Sequence, residues 1–204
     1  MKTTVTLLIL ATLAAHAAAA PLAFDFKDPK GVNNATFTLD APLEAISGSA
    51  SGISGTVHFD PANPGATRGT IVVASSSLHV PNPAMKDHLH GAQWMDVARH
   101  PEITFEARKL TDVKTEGDNT TAQAHGTFTA RGVSRDVAVP VRLTYLKDRL
   151  GARSNGQMQG DLLVIRATFS IRRSDFGINP GAPQDKVADT IELNLSIAGA
   201  APRS

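Results

Sequence analysis

The sequence predicts an all-β protein, an eight-stranded antiparallel β-barrel with one or two short helical turns that cap its mouth. Apolar and polar residues alternate along most of the chain beyond residue 30, which indicates strands with one buried face. Clusters of Gly, Pro, Asn and Asp separate these stretches, as antiparallel turns require. No amphipathic helical pattern is long enough to cover a sheet, so the sheet is expected to close on itself.

The first 19 residues predict a signal peptide. Lys2 precedes an apolar run at 5–15, and small residues follow at 17–20, which is the usual order in such leaders. The mature chain, 20–204, is then one exported domain. The sequence contains no Cys, which excludes disulfides, thiol catalysis and zinc–thiolate sites. Export without any Cys is typical of a bacterial periplasm, so we expect a periplasmic location.

Eight stretches carry the alternation, and each is expected to turn its apolar side chains inward. They lie at 35–39, 57–59, 71–73, 103–107, 122–130, 137–145, 163–171 and 191–197. The segment from Met85 to Asp96 lacks alternation and predicts the helical turns over the mouth. The segment 131–134 predicts a hairpin turn in which Gly132 has a positive φ.

The inward positions mix bulky with small residues, which leaves two interpretations of the barrel interior. The bulky ones are Phe37, Phe59, Phe105, Phe128 and Phe169, and several alanines and Gly126 lie among them. Small residues either free volume for an apolar ligand or admit a neighbouring phenylalanine ring into a packed core. The alternation by itself is compatible with both.

Composition and spacing exclude several classes of function. The 20 Lys and Arg residues against 19 Asp and Glu give a formal net charge of +1, which does not predict a nucleic-acid-binding surface. The segment 48–52 has Ala where a hydrolase elbow would carry its nucleophilic Ser. No pair of titratable groups is tied together by spacing, so we predict no enzyme, no catalytic residue and no cofactor.

The candidate metal ligands are His88 and His90, with Asp87 beside them and His100 further along. On a helical turn, side chains two positions apart diverge by about 200°. Because no third ligand is fixed by spacing, we predict a solvated turn and no metal site.

Arg173 precedes Asp175 in a segment without alternation. We expect its guanidinium to fasten the cap by pairing with Asp175 or Asp96, a role that suits a bidentate arginine. The alternative is that Arg173 contacts the polar or pyrophosphate head of a ligand.

Four motifs occur in a fixed order along the mature chain. They are Lys86-Asp87-His88-Leu89-His90 leading into Gln93-Trp94-Met95-Asp96, then His100-Pro101-Glu102-Ile103-Thr104-Phe105, then Gly126 to Arg135, then Arg173-Ser174-Asp175-Phe176-Gly177-Ile178. In this order they resemble the YceI-like family of periplasmic isoprenoid- and lipid-binding proteins. The resemblance implies a lipocalin-like barrel that holds a long apolar chain. His100 in place of the family's Tyr, and Ala130 in place of a larger aliphatic residue, depart from the family pattern.

The alternation and the resemblance together predict a non-catalytic periplasmic protein that sequesters a polyisoprenoid, a quinone-like molecule, or a fatty amide or acid. One alternative is a packed barrel without a ligand that acts in a stress response or an interaction through its surface; another is an enzyme or metalloprotein that uses the His88/His90 region. The expected partner is the long apolar molecule, with no nucleic acid and no stable membrane insertion, and a homodimer stays open. The residues expected to line the ligand site are Phe37, Phe59, Leu89, Trp94, Met95, Ile103, Phe105, Phe128, Phe169 and Phe176.

Overall fold

The strands of this protein pair antiparallel in one continuous sheet. The computed structural model describes residues 20–203, so the predicted signal peptide lies outside the described residues. The strand segments are β1 (Leu22–Asp25), β2 (Asn34–Asp40), β3 (Ala45–Ala50), β4 (Ile53–Phe59), β5 (Arg68–Ala74), β6 (Glu102–Glu116), β7 (Asn119–Ala130), β8 (Val133–Leu146), β9 (Gly160–Arg172) and β10 (Thr190–Pro202). The helices are α1 (Pro83–His90) and α2 (Leu150–Arg153), with 3-10 turns at Pro64–Ala66, Ser75–Ser77 and Arg173–Phe176.

The sheet closes into an eight-stranded barrel because two of its strands are each interrupted once. β1 and β2 lie end to end along β10: Asp25 pairs with Ala200, and Thr38 pairs with Glu192. β3 and β4 lie end to end beside them, because β2 pairs with β3 and β1 pairs with β4. The remaining strands follow in sequence order from β5 to β10. The predicted eight-stranded antiparallel barrel is therefore confirmed.

The segments β1 and β3 are absent from the eight predicted stretches. β1 is only four residues long, and most of β3 consists of small residues, Ser-Gly-Ser-Ala after Ile46, so neither carries a strong alternating signal. The interruption between β1 and β2 is held by Asn33, which is buried. Its side-chain amide donates to the carbonyl oxygens of Phe26 and Ala198, both at 3.1 Å, and its Oδ1 accepts from the Ala198 amide at 2.9 Å. One buried side chain thus replaces the missing ladder bonds.

The two ends of the barrel have separate hydrophobic clusters. We call the end that holds β1 the closed end; its cluster includes Phe24, Phe59, Leu163 and Ile197. We call the opposite end the mouth; its cluster includes Phe37, Met95, Phe128, Phe176 and Ile178.

A cap covers the mouth, as the non-alternating segment predicts. α1 begins after Asn82, whose side chain accepts a hydrogen bond from the Met85 amide at 3.2 Å, and Pro83 occupies the first helical position. The bridge between Ser49 and His79 ties the start of the cap to β3. None of the helices between residues 20 and 203 is long and apolar enough to span a membrane.

The hairpin between β7 and β8 contacts the far end of the cap. Arg131 and Gly132 both have positive φ, 49° and 73°, which confirms the predicted turn. A Cβ atom on Gly132 would lie 2.7 Å from the His100 ring, so glycine allows His100 to pack against the turn. The Arg131 guanidinium also donates to the Ala92 carbonyl at 2.8 Å.

Candidate functional site

The barrel encloses a cavity of about 360 Å³ that extends from the cap into the middle of the barrel. This volume falls within the range of about 300–1,000 Å³ that is usual for small-molecule sites. Its walls are mostly apolar side chains of the inner sheet face and of the cap. Such a surface binds apolar molecules by removing their surface from water.

Both interpretations of the small inward residues apply, at different positions. A Cβ atom on Gly48 would lie 2.2 Å from the Phe37 ring, so this glycine admits an aromatic ring. A Cβ atom on Gly126 would lie 2.2 Å from the Glu106 carbonyl oxygen and 3.0 Å from the Phe105 ring, so this glycine admits the neighbouring strand as well as a ring. The alanines Ala124, Ala130 and Ala167 instead border the cavity. The glycines thus make room for aromatic rings in the cavity wall, whereas the alanines leave the space between these rings open.

Eight of the ten predicted lining residues border the cavity. They are Phe37, Leu89, Trp94, Met95, Ile103, Phe105, Phe128 and Phe169. They come from β2, the cap, β6, β7 and β9, which the barrel closure brings around one space.

Phe59 and Phe176, the other two predicted residues, lie outside the lining of the cavity. Phe59 belongs to the closed end, where its ring centroid lies 6.4 Å from Phe24 and 5.9 Å from Tyr145. Phe176 packs edge-on against Phe128 with centroids 5.4 Å apart, and so supports the wall of the cavity from behind. Alternation indicates which face of a strand is buried, but not how far along the barrel the open space extends.

Several cavity residues are absent from the predicted set. Most of them are inward residues of the strands, such as Ile71, Val141 and Leu193, but some come from β3, from the turn before it and from the loop between β9 and β10: Glu44, Ile46, Ile178 and Val187. A signal for Ile46 exists, since Ile46, Gly48 and Ala50 alternate with serines. The loop residues carry no such signal, because a loop has no fixed period.

Arg173 is completely buried and fastens this loop, but it pairs with no carboxylate among residues 20–203. Its Nε donates to the Ala188 carbonyl oxygen, its Nη1 to those of Ile178 and Asn179, and its Nη2 to those of Ala182 and Val187. The predicted pairing with Asp175 or Asp96 is therefore wrong, although the fastening role is observed. Five carbonyls at the fixed angles of a guanidinium suit an irregular loop better than one carboxylate does.

The loop is in turn tied to the cap and to the turn between β2 and β3. The Asn179 amide donates to the Gln93 carbonyl at 3.0 Å, and the Leu43 amide donates to the Asp185 carbonyl at 2.9 Å. Asp189 holds the start of the 3-10 turn through the amide and the hydroxyl of Ser174, at 3.0 and 2.7 Å. Burial opposes ionisation of Asp189, but these bonds and Arg172 lower its pKa overall.

The closed end is sealed by a polar network. Asp161 accepts from the Tyr145 hydroxyl at 2.7 Å, from the Asp148 amide at 2.8 Å and from the Arg203 guanidinium. Burial acts to raise the pKa of Asp161, but these donors outweigh it and hold the pKa below its usual value. Burial, together with the bond to Asp161, raises the pKa of Tyr145 to about 12.

The candidate metal ligands are separated in the structure. His88 borders the cavity mouth, His90 bonds through Nε2 to the Leu78 carbonyl at 2.8 Å, and His100 packs beside Gly132. Among residues 20–203, no three His, Asp or Glu side chains lie close enough together to hold a metal ion.

Comparison with known proteins agrees with this architecture. The family model of the YceI-like domain matches residues 19–199. A UPF0312 protein of Yersinia pestis is 28% identical over 152 residues, which cover 74% of this chain and 72% of that protein.

Two solved structures share the fold at lower identity. BcnA of Burkholderia cenocepacia is 19% identical, with a TM-score of 0.64 over 81% of this chain and 95% of that one. A polyisoprenoid-binding domain of Saccharophagus degradans, implicated in plant cell wall breakdown, is 8% identical, with a TM-score of 0.64 over 89% of this chain and 99% of that domain. With the family match over nearly all of the described chain, the fold and the sequence agree: this protein belongs to the YceI-like family.

Proposed function

We propose that this protein is a non-catalytic binding protein that sequesters a long apolar ligand inside its barrel. The observation that carries the proposal is the apolar cavity of about 360 Å³ beneath the cap. Burial of apolar surface stabilises such a complex by about 25 cal/mol per Å², so a long tail binds without charged contacts.

The shape of the cavity favours an extended tail. On β9, the lining residues run from Ile165 to Ile171. At about 3.3 Å per residue this stretch corresponds to roughly 20 Å along the strand. A polyisoprenoid, a quinone-like molecule, or a fatty amide or acid has a tail of this form. The polyisoprenoid-binding domain of Saccharophagus degradans, which shares the fold, supports the same class.

The cavity weighs against the packed-barrel alternative. A packed barrel would bring Phe105, Phe128 and Phe169 together at its centre. Phe128 and Phe169 do contact each other, with centroids 6.0 Å apart, but all three rings border open space. The signal-peptide pattern adds to the proposal that the ligand is held in the periplasm.

Extraction tests the proposal directly. The purified protein is extracted with organic solvent and the extract is analysed by mass spectrometry; we expect a reproducible apolar compound. Trp94 is the single Trp in the sequence and borders the cavity, so its fluorescence reports uptake of added isoprenoids or fatty amides by the stripped protein. A protein that is reproducibly empty and takes up none of these compounds would contradict the proposal.

A further inference from the structure

The ladder between β8 and β9 stops partway along the barrel and leaves a seam in its wall. Its last pair toward the mouth is Val141–Ala167. Continued beyond this pair, the register would set 136–140 of β8 opposite 168–172 of β9, but no residue pair joins them there. We call these two stretches the seam. At about 3.3 Å per residue, the seam is roughly 16 Å long.

Side chains do not close the seam either. Among residues 20–203, the side-chain to side-chain hydrogen bonds of the two stretches all lead away from it, to β6, β7, β10 and the residue before β10. These bonds are Arg108–Asp136, Thr127–Asp136, Thr168–Asn194 and Arg172–Asp189. The two stretches are therefore free to move apart without losing a side-chain hydrogen bond to each other.

Pro140 explains why the ladder stops where it does. Successive residues of an antiparallel strand direct their N–H and C=O groups to opposite neighbours. The ladder from β7 to β8 runs unbroken through Pro140, which has no N–H, so the residues that bond to β7 are Val139 and Val141. Pro140 therefore faces β9, opposite Thr168, and the Thr168 carbonyl has no donor at that position.

Two arginines weaken the ladder just before the seam begins. Arg142 and Arg166 are paired directly opposite each other, and both are exposed. Neither forms an ion pair with any residue between 20 and 203. Like charges directly opposite each other destabilise a strand pair. The ladder is thus weakened at the point from which the seam would widen.

The cavity reaches the seam from the inside. Val139 on β8, and Phe169 and Ile171 on β9, flank the seam and border the cavity. The Phe169 ring packs against Phe128 on β7, with centroids 6.0 Å apart, so it lies behind β8 on the inner side of the seam. Rotation of this one ring about its side-chain torsions would uncover the inner face of the seam.

Passage through the mouth requires more bonds to break. The loop over the mouth is held by the five bonds from Arg173 to backbone carbonyls. Two further bonds tie this loop to neighbouring segments, from the Asn179 amide to Gln93 and from the Leu43 amide to Asp185. Regions with few internal bonds open at the lowest cost in free energy. The seam is therefore the easier place for the barrel to open.

We propose that the seam is the gate through which the apolar tail enters and leaves the cavity, with Pro140 keeping the two strands apart and the Phe169 ring closing the gate from inside. The outward residues along it, Ala138, Pro140, Thr168 and Ser170, are exposed and uncharged, so a passing tail displaces no charged group. This inference rests on the proposed function, because it assigns the route of the same ligand.

A disulfide across the seam tests this route. Ala138 and Ser170 would be opposite each other in a continued ladder, where paired Cα atoms lie about 5.5 Å apart, a distance that a disulfide spans. The sequence has no Cys, so Ala138→Cys with Ser170→Cys forms one defined bond on oxidation. The matched control is Ser170→Cys with Glu192→Cys, which joins the same position to its partner on β10 and leaves the seam free.

The rates of uptake and release are the readout. The stripped proteins are mixed with geranylgeraniol in a stopped-flow instrument, and Trp94 fluorescence follows binding. We expect the oxidised seam variant to take up and release the alcohol about tenfold more slowly than its reduced form, with the same Kd. The oxidised control should behave as its reduced form does. Equal rates in the two redox forms of the seam variant overturn the gate.

Pro140→Thr tests the cause of the break without a cross-link. It restores an N–H opposite Thr168 and suits an exposed strand position, so we expect the residue 140 amide to be protected from hydrogen exchange and both rates to fall. Pro202→Thr, at the exposed end of β10, is the matched control and should leave the rates unchanged. An unprotected amide at residue 140 overturns the role of Pro140, and protection with unchanged rates overturns the gate.

The same measurements separate the gate from the function on which it rests. Binding of geranylgeraniol at rates that neither the disulfide nor Pro140→Thr alters contradicts only the gate, and leaves apolar-ligand binding intact. Absence of binding by the wild-type protein contradicts the proposed function itself.

Discussion

Aromatic rings lie at both the closed end and the mouth, but they fill the barrel at the closed end and surround open space at the mouth. At the closed end, the rings of Phe24, Phe59 and Tyr145 meet one another at centroid distances of 5.9–6.4 Å and fill the barrel. At the mouth, Phe128 and Phe169 contact each other on one side of open space, with Phe37 and Phe105 elsewhere around it. Aromatic content does not determine whether a barrel is filled; the position of the rings around the barrel does.

Strand pairing is also more continuous at the closed end than at the mouth. β8 and β9 pair from Val141–Ala167 to Leu146–Leu162, toward the closed end, but not over the stretches nearer the mouth. β3 is held at its outer edge only by the single bridge to His79, among the described residues. The mouth therefore depends on side chains and loops for its shape, whereas the closed end depends on the ladder and on ring packing.

The largest expected effect comes from removing a ring at the closed end. Phe24 is fully buried, so we expect Phe24→Ala to lower the free energy of unfolding by about 3–5 kcal/mol. Phe169 already borders open space, so Phe169→Ala is expected to cost about 2 kcal/mol and to weaken ligand uptake. Urea denaturation of both variants measures the difference. Equal losses would show that the two ends are packed alike.

Removal of the Arg173 guanidinium should open the mouth. We expect Arg173→Met to cost about 3 kcal/mol, because five buried or partly buried carbonyls lose their donors. Arg173→Lys keeps the charge and has three donors in place of five, so it should lower the stability less than Arg173→Met does. Hydrogen exchange should increase in the loop 177–189 and stay unchanged at Leu163. Faster exchange at both places would mean that Arg173 stabilises the whole barrel and not this loop alone.

Two buried alanines distinguish the open region from the filled one. Ala124 borders the cavity, whereas Ala201 packs into the closed-end cluster outside it. We expect Ala201→Leu to destabilise the protein by about 1–3 kcal/mol through overpacking. Ala124→Leu should leave stability unchanged or raise it, while reducing ligand uptake. Thermal unfolding and Trp94 titration check the pair; destabilisation by Ala124→Leu equal to that of Ala201→Leu would contradict an open cavity.

The smallest expected effect is the dependence of stability on pH. The folded pKa of Asp161 is below its unfolded value of 3.8, so its contribution is present above that value and is lost as pH falls through the folded pKa. Asp161→Asn should lower the free energy of unfolding by about 1–2 kcal/mol at neutral pH. It should also make the free energy of unfolding fall less steeply as the pH is lowered. The pKa of Tyr145 is raised from 10.0 to about 12, so its contribution is lost as pH rises between these values, and Tyr145→Phe should remove that loss.

Urea unfolding across pH measures these slopes, with Asp189→Asn as the counterpart at the mouth. Burial acts to raise the pKa of Asp189, but the hydrogen bonds from Ser174 and the charge of Arg172 lower it overall. We therefore expect Asp189→Asn also to flatten the fall in stability on the acid side. Only Asp189→Asn should weaken ligand uptake, because Asp189 holds the turn beside the mouth. Parallel pH curves in the wild type and Asp161→Asn would show that the closed-end network adds no stability.

Much of the barrel was predictable because alternation is a local property. The stretches at 122–130, 137–145 and 163–171 all lie within strands, and Phe37, Phe105, Phe128 and Phe169 all face the interior. β3 was missed because its small residues weaken the alternation. The partners of Arg173 were unpredictable, because they are backbone carbonyls that the loop brings together only when it folds over the mouth.

By itself, the sequence determined the barrel, the cap and the buried face of each strand, because a period of two and the turn residues act over a few neighbouring positions. Only the tertiary structure decided which end is filled. Phe59 and Phe37 have equivalent local patterns, but closure places Phe59 against Phe24 and Tyr145, and Phe37 beside the cavity. Whether a ring meets another ring or open space depends on residues far apart in the chain, and those distances exist only in the closed barrel.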